Sequence, residues 1–107
     1  MSGLDDRKAK YENRFAHDAE LRFKAEARRN KLLGLWAAGL MGKEGDEAEA
    51  YAKEVVVADL EEAGDEDVFR KIRGDFDAIG VDQSDHQIRR HMEEFMARAV
   101  DEVDEGA

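Results

Sequence analysis

The stretch Asn13–Met41, NRFAHDAELRFKAEARRNKLLGLWAAGLM, decides how the rest of the chain is read. It contains no proline. Leu21, Ala25, Leu32, Trp36 and Leu40 recur near the 3.6-residue period, with Leu33 and Leu35 widening the stripe. The spacing predicts one long helix from Asp18 to Met41. Gly34 and Gly39 lie inside it, and each lowers helix propensity by up to about 1 kcal/mol against alanine. Close approach of a neighbouring helix would account for both. The run Gly42-Lys43-Glu44-Gly45 ends the helix, with glycines suited to a left-handed cap. Arg22, Lys24, Arg28, Arg29 and Lys31 crowd its middle, and Trp36, the single tryptophan, sits near its end.

Towards the C-terminus the helical period repeats. Asp46 with Glu49 has the spacing of a capping box. Ala48, Tyr51, Ala52 and Val55 then form an inner row, with Val56 and Leu60 beside it, until Ala63-Gly64. Val55-Val56-Val57 could read as a strand, but its flanks are rich in alanine and glutamate and no second strand exists to pair with it. Asp65 is placed to cap a third helix, with Glu66 and Asp67 where the dipole favours anions. Val68, Ile72, Phe76 and Ile79 are its apolar row, and Gly80 suits its terminator. Ser84 with Gln87 makes a capping box for a fourth helix. Its seam is Ile88, Met92, Phe95, Ala99 and Val103, with Met96 and Val100 alongside and fraying expected from Asp104. Four helices joined by short glycine turns predict an all-α protein, a small four-helix bundle over residues 18–107.

Residues 1–17 have a different character. Leu4, Tyr11 and Phe15 fall in one helical row, among Asp5, Asp6, Arg7, Lys8, Lys10, Glu12 and Arg14. Three anchors cannot hold so short a helix alone in water, where isolated helices below about 12–15 residues are marginal. The pattern predicts a mobile amphipathic N-terminal arm that folds when it finds a groove. The alternative is an extension of the first helix packed on its own bundle. His17 sits at the junction of arm and bundle.

The whole chain of 107 residues fits a single domain. It is 41% charged with no cysteine, which leaves out disulfides and cysteine-based zinc sites and suits the cytoplasm. No apolar run approaches the roughly 20 residues that span a bilayer, and the N-terminus lacks the apolar region of a signal peptide. The net charge of −10 argues against nucleic acid as a partner. That charge is uneven: residues 1–31 carry nine Lys/Arg against six Asp/Glu, while residues 32–107 carry eight against 21.

Motifs for catalysis are missing. Gly42-Lys43 lacks the spacing of a phosphate-binding loop. His86 and His91 are five apart and do not share a face for a metal. Asp82, Asp85 and His86 read as a polar turn, and Asp65-Glu66-Asp67 lacks the calcium-loop pattern. Ser2 and Ser84 are the only serines and stand in no nucleophilic arrangement. Arg28, Arg29 and Lys31, with Trp36 near them, could take an anion or a nucleotide; the other reading makes them solvated or paired cations and Trp36 core.

Several runs resemble one family. YENRFAHD (Tyr11–Asp18), ELRFK (Glu20–Lys24) and RRNKLLGLWAA (Arg28–Ala38) look like the zeta subunit of alphaproteobacterial F1Fo-ATP synthase. So do EAEAYAKEVV (Glu47–Val56), GDEDV (Gly64–Val68) and HQIRR (His86–Arg90), so the resemblance covers nearly the whole chain. It implies a non-enzymatic regulator: a monomeric four-helix bundle whose N-terminal arm enters a catalytic α/β interface of F1, reaches γ and blocks ATP hydrolysis. The arm residues Leu4, Asp5, Asp6, Arg7, Lys8, Lys10, Tyr11, Arg14 and Phe15 would make the contacts. The protein would then lie in the cytoplasm, peripheral to the inner membrane through F1, with no cofactor and no metal. Purine nucleotide binding is also associated with the fold, and here it would fall to Arg28, Arg29 or Lys31. Leu4 stands where the family pattern has phenylalanine and Arg14 where lysine is common, and the smaller anchor weakens docking modestly. A nucleotide-sensing bundle and a helical adaptor for another partner are the remaining alternatives.

Overall fold

The computed structural model describes residues 19–60 and 65–106. Four helices follow in order: α1 (Ala19–Leu40), α2 (Asp46–Asp59), α3 (Glu66–Ile79) and α4 (Asp85–Gly106). There is no strand among the described residues, and Val55-Val56-Val57 is helical. The arm residues Leu4 to Phe15, together with His17, Asp18 and the Ala63-Gly64 break, lie outside the described residues.

Contacts close the helices into a ring. α1 packs along α2 and α4, while α3 lies diagonally across from α1 and bridges the other two. Neighbours are antiparallel: Asn30 meets Asp59 while Gly34, one turn later, meets Ala52 and Val55. Arg28 likewise meets Glu102 while Trp36 meets His91. This is the up-down-up-down arrangement that short connections impose.

The main core joins Leu33, Ala37, Tyr51, Val55, Ile72 and Phe76 with Ile88 and Met92. A smaller cluster sets Ala25 against Val100, flanked by Leu21, Met96 and Val103. α1 and α4 have 22 residues each against 14 for α2 and α3. At about 1.5 Å per residue the surplus is about 12 Å, so α1 and α4 run on as a two-helix neck beyond the four-helix head.

The buried face of α1 differs from the leucine stripe expected of it. Ala25, Arg29, Asn30, Leu33, Gly34, Ala37 and Ala38 are buried, whereas Leu32 and Trp36 are half-buried and Leu40 is exposed. The reason is close packing on two sides at once, which draws the small residues inward and leaves large ones at the margins. Gly34 shows this directly. A Cβ added there would sit 2.7 Å from Ala52 Cα and 3.3 Å from Val55 Cγ2. Gly39 has nothing within 4 Å, so close approach does not explain it. Leu60 and Ile79, expected to be inward, are exposed, each at the C-terminal end of its helix.

The ends of the helices follow their side-chain chemistry, with three corrections. Gly42 is left-handed at φ 80°, and the Lys43 amide returns to the Ala38 carbonyl at 2.9 Å. Gly80, at φ 87°, closes α3, and the amides of Gly80 and Val81 both donate to the Phe76 carbonyl. Ser84 and Gln87 make the full reciprocal capping box, at 2.8 and 3.1 Å. The cap of α2, however, is Gly45 and not Asp46, since φ 55° there admits glycine at no cost and starts the helix one residue early. Asp65 holds the cap position of α3 without a side-chain cap bond; its carboxylate lies towards Arg29. α4 stays helical through Gly106 in place of the fraying expected from Asp104. Asp101 to Asp104 there are only partly exposed.

Two polar devices lock α2 and α4 onto α3. The Tyr51 hydroxyl donates to Asp75 Oδ2 at 2.7 Å, and Lys71 Nζ donates to the same oxygen at 3.2 Å. Arg73 donates to the Gln83 carbonyl, to Asp85 and to Asp77, tying the α3–α4 turn. Those carboxylates, Asp77 before Asp85, push the guanidinium above its ordinary pKa.

Replacement Gly34→Ala should lower stability by about 1–3 kcal/mol, because the new methyl meets α2 backbone. Gly39→Ala should raise it by up to about 1 kcal/mol. Urea unfolding followed by circular dichroism separates the two. Burial first, and Asp75 second, hold the Tyr51 phenol well above its ordinary pKa. The stability this represents is intact below about pH 10, the unfolded phenol's pKa, and is lost as pH climbs from there towards the folded value. Unfolding midpoints measured between pH 9 and 11 should therefore fall in the native chain and fall less in Tyr51→Phe.

Candidate functional site

The neck of α1 and α4 is where residues 1–18 join the bundle, so the site is built outward from Ala19. One side of the α1 neck is closed, because Leu21 and Ala25 pack on Met96, Val100 and Val103 of α4. Arg28 crosses the same seam to Glu102 at 3.8 Å. The first turns of α1 pair along their own surface, Lys24 to Glu20 at 3.2 Å and Arg22 to Glu26 at 3.1 Å. The other side of the neck is open: Phe23 is 58% exposed above Val56 and Leu60.

The basic cluster of α1 divides among three directions. Arg28 turns to α4, Lys31 points to solvent, and Arg29 is buried. Arg29 Nε donates to Asn30 Oδ1 at 2.7 Å, and Asn30 Nδ2 donates to Asp59 Oδ2 at 2.8 Å. The guanidinium lies 3.8 Å from Asp59 and 4.0 Å from Asp65, facing both ends of the α2–α3 connection. A buried arginine survives there because hydrogen bonding and opposite charge offset its lost hydration. Arg29 also lines a small cleft of about 170 Å³ with Asp65, Arg89 and Glu93, so two cations there face two carboxylates. Arg89 has further partners, Glu66 at 2.8 Å and the face of Phe69 at 4.0 Å.

Trp36 stands apart from these cations. Its ring stacks on His91 at 4.1 Å and meets Phe76 edge-on at 5.7 Å. His91 Nδ1 lies 2.8 Å from the Gln87 carbonyl, the partner that holds the imidazole parallel to the indole. One indole face is thus occupied within the bundle. Among the described residues no group of three or more histidine or acidic side chains is placed to hold a metal ion.

Sequence reasoning missed Asn30, Asp59 and Asp65 as the partners of Arg29. A signal did exist: Arg29 shares its helical row with Ala25, Leu33 and Ala37, and Asn30 shares one with Gly34 and Ala38. A polar residue in a row of small and apolar ones is placed for burial and needs a partner.

The sequence model of one family, ATPase inhibitor subunit zeta, matches residues 1–102. The chain belongs to the ATPase inhibitor subunit zeta family. The match runs from residue 1 through α1, α2 and α3 and into α4. Membership makes the chain an inhibitory regulatory subunit of an ATPase. A relative solved in solution by NMR is 52% identical, with a TM-score of 0.71 over 81% of this chain and 99% of its own. No curated protein sequence matches this chain significantly. Among the described residues no helix is long and apolar enough to cross a membrane.

Arg29→Met should cost about 3 kcal/mol, since it leaves the buried Asp59 carboxylate and the Asn30 amide short of a partner. Arg28→Met, at an exposed pair, should cost under about 1 kcal/mol. Denaturant midpoints of the two variants, taken side by side, check the ordering.

Proposed function

We propose that this zeta-family chain inhibits ATP hydrolysis by inserting its N-terminal arm into the F1 sector of ATP synthase, with the bundle held outside as a stop. The observation that carries the reading is the row Leu4, Tyr11 and Phe15, set among charges in a stretch too short to fold unaided. Family membership supplies the target class. The bundle supports the reading as a body in its own right: Leu33, Val55, Val68, Ile72, Phe76 and Ile88 are fully buried among the four helices. A rigid head on a thin neck suits a plug whose working part is the segment ahead of the neck.

Mechanically, the arm would gain helix inside F1 as its three apolar anchors enter pockets. Asp5, Asp6, Arg7, Lys8, Lys10 and Arg14 would pair with side chains along the way, at the interface of the α and β subunits and towards γ. Ordering the arm costs conformational entropy, which burial of those anchors has to exceed. Rotation in the hydrolytic direction would then meet a wedge that the head prevents from passing through. The nucleotide reading has less support, because Arg28, Arg29 and Lys31 diverge and Trp36 is stacked on His91.

Deleting residues 1–15 should abolish inhibition of F1 at concentrations where the full chain stops hydrolysis, while thermal unfolding followed by circular dichroism still shows a folded bundle. Inhibition by the shortened chain equal to that of the full one overturns the arm mechanism.

A further inference from the structure

The open side of the neck is a surface that arm insertion alone does not use. Five large apolar side chains of the described residues are exposed: Phe23, Leu40, Val57, Leu60 and Ile79. Single exposed apolar residues are ordinary, but a cluster of them marks an interaction surface. Leu40 and Ile79 sit singly at the far ends of α1 and α3. Phe23 and Leu60 come together at the neck, 58% and 63% exposed. Phe23 and Leu60, with Val56, line an open cleft of about 300 Å³ between α1 and the end of α2. That is the small end of the roughly 300–1,000 Å³ range of ligand sites, and suits one or two side chains of a protein partner.

The rim of the cleft says what kind of side chain. Glu26 and Asp59 are its acidic groups. Glu26 already pairs with Arg22 at 3.1 Å, and Asp59 already accepts from Asn30 at 2.8 Å. With the rim's carboxylates satisfied inside the chain, what the cleft offers a partner is apolar area. Its place says which partner. Phe23 lies four residues, about 6 Å, from Ala19, the first residue of α1, just after the arm in sequence. If the arm is inside F1, this end of the bundle stands at the mouth it went through, and the cleft faces the enzyme's outer surface.

We propose that the Phe23–Leu60 face is a second contact on the ATPase, a shoulder that receives an apolar side chain from the outer surface of F1 beside the arm's path. It rests on the arm reading for its location. Tethering makes the shoulder contact intramolecular once the arm has entered, so a small patch adds to affinity beyond its own area. It also fixes the rotational setting of the head, which an arm alone would leave free.

The test uses the full chain carrying Phe23→Ser and Leu60→Ser, both surface positions, with Leu40→Ser and Ile79→Ser as the control pair at the opposite end. The shoulder pair should raise the concentration for half-inhibition of F1 about tenfold or more, as truncation of an interface anchor does. The control pair should leave it unchanged. A photoreactive phenylalanine analogue at position 23 should crosslink to an F1 subunit, and one at position 79 should not; this arm holds even if the serine variants unfold. Unaltered inhibition by a folded shoulder variant overturns the proposal. So does a crosslink from position 23 only to residues 1–18 of the same chain, which would make the arm the occupant, or only to a second copy. The residue 1–15 deletion keeps the two ideas apart. If it still inhibits while position 23 crosslinks to F1, the shoulder stands without the arm. If it fails to inhibit while the shoulder pair has no effect, the arm stands without the shoulder.

Discussion

The seam between α1 and α2 at Gly34 is the contact on which the rest of the geometry depends. Ala52 lies so near that no side chain fits on α1 there. This closeness brings Tyr51 and Val55 into one core with Leu33 and Phe76. It also places Asn30, one turn back, within hydrogen-bonding distance of Asp59. Arg29 can be buried only because that pair and Asp65 are gathered around it. A small residue in one helix thus sets up both the apolar core and the polar cluster at its edge.

The two ends of the molecule have different mechanical character. The head is closed by well-capped turns at Gly42 and Gly80 and by the Ser84–Gln87 box, and its aromatic side chains interlock around Trp36. The neck has two helices and a thin apolar cluster. The head is the stiffer of the two, with four helices sharing one core against two at the neck. The exposed face at the neck lies where the two meet.

Charge plays a smaller part in stability than its abundance suggests. Several ion pairs among the described residues are exposed and three or four residues apart on one helix, the kind that contributes at most about 1 kcal/mol. The consequential ones cross between elements and hold turns, as Arg73 does with Gln83 and Asp85, or are buried, as Arg29 is. Among the described residues, most Asp and Glu side chains after residue 31 are exposed to solvent.

Periodicity made the four helices legible, and glycine and serine marked their ends, because backbone propensity and capping act within a few residues along the chain. The helical reading of Val55-Val56-Val57, the seam of α4 and the apolar row of α3 through Phe76 needed no partner to be inferred. The family was legible in contiguous runs, and the arm's amphipathic row likewise belongs to the sequence. Tertiary structure alone decided which face of α1 goes inside, that Gly34 is a contact and Gly39 is not, and that Arg29 is buried while Arg28 and Lys31 face elsewhere. It also left Phe23 and Leu60 uncovered. Those outcomes turn on the distance between helices far apart in the chain, and the local period that predicts a helix carries no information about which neighbour will lie against it.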